Sequence, residues 1–151
     1  MSTGVIESEL NERGFYASNT LGVSMEPLFR THRDMIVLMR PDAPLRKYDV
    51  ALYVTPRGKY ILHRVIKVKE KEYVFRGDNT YASEHVPKEW VLGVLVKFNR
   101  KGKSHTTEEL SYRIYSRVWH FIYPVRFVYR KTRSLLGKIY RKIFRKKGKS
   151  E

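Results

Sequence analysis

Two side chains in this sequence have the type and setting for acyl transfer. Ser24 lies in Gly22-Val-Ser-Met-Glu-Pro-Leu28. There Gly22 permits an unusual backbone angle, while Pro27 fixes its own φ and biases Glu26 away from helix. Such a turn holds a serine in one pose, although serines in Gly/Pro loops more often cap or turn the chain. His63 lies in Tyr60 to Lys69, where residues alternate in character. In a strand Ile61, His63, Val65 and Lys67 share one face, and Tyr60, Leu62, Arg64, Ile66 and Val68 the other. A serine hydroxyl is a poor nucleophile until a base takes its proton, and an imidazole with an ordinary pKa of about 6.5 does this near neutral pH. The backbone amide of Ser24 is a candidate oxyanion donor, worth about 3 kcal/mol of barrier. By itself, a histidine between two β-branched neighbours is more often a packed core residue than a base.

The elements that must position these groups are short and mostly extended. Val5 to Arg13 carries Ile6 and Leu10 four apart with Glu7, Glu9 and Glu12 between them, which predicts a short amphipathic helix stopped by Gly14. Met35 to Met39 and Asp49 to Val54 predict buried strands bounded by turn residues. Residues 59–76 read as a β-hairpin turning at Glu70-Lys71, Gly77-Asp78-Asn79 as a turn, and Trp90 to Phe98 as a further strand, with Asn99 to Gly102 closing the body. Four to six strands with short loops imply a small, mainly antiparallel β fold. From Thr106 the pattern becomes helical. Thr107-Glu108-Glu109 resembles a cap region, Leu110, Ile114 and Val118 recur every four residues, and Pro124 should kink or break the helix. A second amphipathic helix is predicted over Lys131 to Lys147.

Composition excludes several chemistries. The absence of cysteine removes disulfides, thiolate metal sites and a cysteine nucleophile, and the five histidines lack a ligand spacing, so no metal site is expected. The formal net charge of +16 is uneven: residues 1–99 carry +3 and residues 100–151 carry +13. Met1 to Asn11 is polar and acidic and reads as neither signal peptide nor membrane anchor.

Ser24-Met-Glu-Pro-Leu28, Leu62-His-Arg-Val-Ile66, Gly77-Asp-Asn79 and Val86-Pro87 with Gly93-Val94 occur in that order. Together they resemble the signal peptidase I family and the wider S24/S26 serine peptidases, over about residues 19 to 97. The His63-Arg64-Val65 motif is similar to the histidine-base variant of archaeal and endoplasmic-reticulum members. The resemblance implies Ser24 as nucleophile, His63 as general base and Asp78 as the acidic partner that would hold the imidazolium, in the manner of a triad. As a turn residue, Asp78 also suits capping of backbone amides. Gly22, Met25 and Pro27 are placed at the oxyanion hole or substrate groove, with core packing an equal reading for Met25. Gly22 stands where the family often has a serine donor. Ser83-Glu84 stands where it often has Ser-Asp, which leaves open whether Glu84 supplies a second acid.

The expected architecture is thus a helical segment (1–18), a barrel-like signal-peptidase β domain (19–100) and a basic helical tail (101–151). The expected activity is cofactor-free serine endopeptidase action on a peptide or protein precursor. The longest uncharged apolar stretch in the tail, Val118 to Val125, is far shorter than the roughly 20 residues of a spanning helix. The expectation is therefore a cytoplasmic protein, peripheral on an anionic inner leaflet through Lys138, Arg141, Lys142, Arg145 and Lys146. Packing of the tail on the body, nucleic-acid binding and capture of an acidic peptide are the alternatives. The rival to catalysis is an inactive protein of this fold that binds membrane or nucleic acid through the tail.

Overall fold

The computed structural model describes residues 4–133 and 136. The chain divides into two compact units, Met1–Arg117 and Val118–Glu151. The first holds α1 (Val5–Glu12), then strands β1 (Phe15–Asn19), β2 (Met35–Met39), β3 (Val50–Val54), β4 (Tyr60–Val68), β5 (Glu72–Arg76) and β6 (Glu84–Pro87). A turn of 3-10 helix (Lys88–Trp90) leads to β7 (Val91–Arg100) and β8 (Lys103–Thr106). Helix α2 (Leu110–Phe121) follows and runs across the boundary. In the second unit residues 123–133 and 136 are helical.

The fold is mainly β. The eight strands form one unclosed antiparallel sheet in the order β1-β2-β7-β3-β4-β5-β6, with β8 paired to the far end of β7. Bulges opposite Val37/Leu38 and Leu52/Tyr53 bend β7, so it serves β2 along most of its length, β3 at its start and β8 at its end. The bent sheet gathers two apolar clusters. One holds Met25, Leu28, Phe29, Ile36, Leu38, Val50, Leu52, Leu95, Phe98 and Tyr112; the other holds Leu45, Ala51, Tyr53, Val65, Tyr73, Phe75 and Val86. Strand β3 supplies both, with alternate residues facing opposite ways.

Three strands lie beyond those expected. β1 (Phe-Tyr-Ala-Ser-Asn) is half-exposed and extends the sheet by pairing Phe15–Asn19 with β2. β6 begins at Glu84 and pairs with β5. Lys101 and Gly102, with φ of 54° and 78°, form a two-residue hairpin loop that returns β7 into β8 where the sequence had suggested an end. The separate segment expected at 1–18 belongs to the body: Leu10 is buried and lies over Gly93 of β7, and Ile6 packs on the first cluster. The start of α2 also belongs to it, through Tyr112 and Ser116. A turn at Ile122 ends α2, and Pro124 sits in the first turn of the next helix, where its missing N–H costs nothing. Among the described residues no helix is long and apolar enough to cross a membrane.

Candidate active site

The Ser24 turn projects from the long connection between β1 and β2. Its base is closed by Asp34, fully buried, which accepts the Arg30 N–H at 2.8 Å and pairs with Arg33 at 2.7 Å; the Thr20 hydroxyl donates to the Arg30 carbonyl at 3.0 Å. Gly22 has φ +85° with open space where a Cβ would stand, so its backbone angle, not crowding, calls for glycine. The Glu26–Pro27 peptide is cis. Met25, Leu28 and Phe29 anchor the turn in the first cluster, leaving Ser24 half-buried. Met25 is thus a core residue, not part of an open groove, because its thioether fills the space beneath the turn; Gly22 and Pro27 are exposed beside Ser24.

The turn is tied to the loop after β5. The Asn79 N–H donates to the Ser24 carbonyl at 2.8 Å and its side-chain amide donates to the Val23 carbonyl at 3.1 Å. Gly77 lies between this turn and His63. A Cβ placed there would stand 2.6 Å from the Ser24 carbonyl oxygen and 2.9 Å from His63 Nε2. The serine's main chain and the Nε2 edge of the imidazole therefore border the same small space.

His63 is 6% exposed, opposite Ala51 on β4 and facing the second cluster, with the Tyr53 ring set edge-on 6.4 Å away. Its Nδ1 lies 3.0 Å from Glu84 Oε2, and the buried Tyr53 hydroxyl donates to that same carboxylate oxygen. A proton held at Nδ1 by this carboxylate leaves the Nε2 lone pair directed towards Gly77 and the serine turn. Burial pushes the His63 pKa below its ordinary value, and the negative charge of Glu84 opposes that shift. Burial thus favours the neutral ring, the form a base requires, while the carboxylate beside it is placed to steady an imidazolium.

The assignment of the acidic partner is corrected. The carboxylate at Nδ1 belongs to Glu84, whereas Asp78 is engaged on the other side of β4 by Arg64. Guanidinium Nε and Nη2 donate to its two oxygens at 2.8 and 2.7 Å, and the Tyr115 hydroxyl donates to Oδ2 at 3.0 Å. Arg64 also donates to the Tyr48 carbonyl at 3.0 Å and to the Ser116 hydroxyl at 2.8 Å. Both side chains of the pair are almost fully buried, and the Asp78 charge keeps Arg64 ionised. The reason lies in the pleat: successive residues of β4 point to opposite faces, so an acid that meets Arg64 lies across the strand from the His63 ring.

Glu84 follows from register. It pairs with Phe75, which pairs with Val65, and that row shares the His63 face. The sequence offered Glu84 only as an open question, since the pairing of β6 was not legible. Asn79 was visible as a turn residue, but its hold on the Ser24 turn spans 56 positions. Lys138, Arg141, Lys142, Arg145 and Lys146 lie outside the described residues. No protein-family model matches the chain, and a search of curated proteins found no match.

Proposed function

We propose that the protein is a serine endopeptidase acting on a peptide or protein precursor. The observation that carries this reading is the convergence on Gly77 of the Ser24 turn and His63 Nε2, with Glu84 behind the ring at Nδ1. In the proposed cycle the Ser24 hydroxyl adds to the scissile carbonyl while Nε2 takes its proton. The imidazolium then gives that proton to the departing amine, and water, activated by the same nitrogen, hydrolyses the acyl-enzyme. Glu84 orients the ring and offsets its transient charge, and Arg64, Asp78 and Asn79 hold the nucleophile's turn in place.

The test compares the wild type with Ser24→Ala on a peptide library and on a fluorophosphonate probe. Wild type should cleave and be labelled at Ser24, and the substitution should lower turnover by roughly 10³-fold or more. Activity that survives it would remove Ser24 from the chemistry. The charge of residues 100–151 favours a second reading, a non-catalytic binding protein of this fold; under it, wild type and Ser24→Ala behave alike, with neither cleavage nor labelling.

A further inference from the structure

Helix α2 meets the body through a polar side. Tyr112 and Ser116 are buried, and Ser116 and Tyr115 serve Arg64 and Asp78. Its apolar residues are elsewhere. Leu110 is 70% exposed, Ile114 52%, Val118 50% and Phe121 83%. Steps of four, four and three residues put all four on one stripe of the helix, turned from the side that Tyr112 and Ser116 occupy. The helix over residues 123–133 exposes Val125, Val128 and Tyr129, the last two lying three and four residues beyond the first.

Beyond Glu108 and Glu109, which precede Leu110, the charges along this part of the chain have one sign. Between Leu110 and Ser150 the sequence contains no aspartate or glutamate, while Arg113 and Arg117 flank the α2 stripe. With Arg46 and Lys47 of the body they also border a cavity of about 250 Å³, alongside Asp49 and Glu108. A second copy of this helix would bring like charges together, which argues against self-association. Nucleic acid would use the cations and leave the stripe in water. A bilayer with acidic headgroups satisfies both, since apolar side chains enter the boundary of the acyl chains while flanking cations meet the headgroups.

We infer that α2 is a membrane-contacting element, its Leu110–Ile114–Val118–Phe121 stripe lying in the headgroup layer of an anionic bilayer. The inference does not depend on turnover at Ser24. Unlike adsorption through tail charge alone, it requires exposed apolar side chains next to the body.

The experiment is flotation of the full-length protein with phosphatidylcholine vesicles, with and without phosphatidylglycerol, for wild type and for Leu110→Glu/Ile114→Glu. Folding of the variant is checked by circular dichroism, and Leu110→Ser/Ile114→Ser gives the same reading if the acidic pair perturbs it. The wild type should bind the anionic vesicles, and the variant should lose about tenfold or more in partition. Three results would overturn the inference: no wild-type binding to anionic vesicles, equal binding of wild type and both variants, or a concentration-dependent dimer that the substitutions abolish in place of vesicle binding.

Discussion

At the scale of single residues, the site depends on an absent side chain. Gly77 has to be glycine because a methyl group there would press on a main-chain oxygen and on the imidazole together, and neither is the free end of a flexible chain. Gly77→Ala should therefore displace the serine turn from the ring and lower kcat/KM by about 10²-fold, with little change in overall secondary structure by circular dichroism. Glu84 has a separate signature. Because burial lowers the His63 pKa, the acid limb of the kcat/KM profile should fall below the ordinary imidazole value of about 6.5. Glu84→Gln removes the charge that favours the protonated ring, so it should move that limb further towards acid while reducing kcat, by roughly 10³-fold. The same depression bears on stability. The unfolded chain binds the proton that the folded ring resists, so the contribution of His63 is fully present above about pH 6.5 and is lost as pH falls through the folded value.

At the scale of elements, β4 carries two neighbouring residues with different duties. His63 faces the second cluster and the space at Gly77, while Arg64 reaches through the opposite face to Asp78, the Tyr48 carbonyl and the Ser116 hydroxyl of α2. Tyr48 adopts φ +84°, unusual for an aromatic residue; its N–H donates to the Val65 carbonyl while its own carbonyl meets the guanidinium. Arg64→Met should leave the Asp78 carboxylate buried without its cation and cost about 3–5 kcal/mol in denaturant unfolding. Adding Asp78→Leu should restore much of that stability without restoring peptidase activity, because the Gly77–Asn79 turn would no longer be held.

These elements were legible in proportion to their patterning. β2, β3 and the β4–β5 hairpin stood out because apolar runs or alternation were bounded by turn residues. β1, β6 and β8 are short strands without an apolar run, and they exist because a neighbour offers unpaired backbone groups, a condition that no local pattern displays. The site divided in the same way. Ser24 and His63 could be read from turn chemistry and alternation, whereas exchanging Asp78 for Glu84 behind the ring required knowledge of which strand lies beside β5.

At the scale of the whole molecule, the charge is carried by residues 100–151, and the near-neutral remainder bears the candidate chemistry. The apolar period at Leu110, Ile114 and Val118 was legible from the start, but periodicity does not say which side of a helix meets the body. Arg64 and Asp78 decide it, since a buried ion pair needs hydroxyl partners and α2 supplies them from Tyr115 and Ser116. The sheet makes the body indivisible for a different reason. Because Val50 and Leu52 belong to one cluster and Ala51 and Tyr53 to the other, melting either cluster strips water-shy surface from the strand that the other is built on. The wall that seats the nucleophile's turn and the wall that seats the base share a single plank, so heat or denaturant should remove both together rather than leave half a site standing.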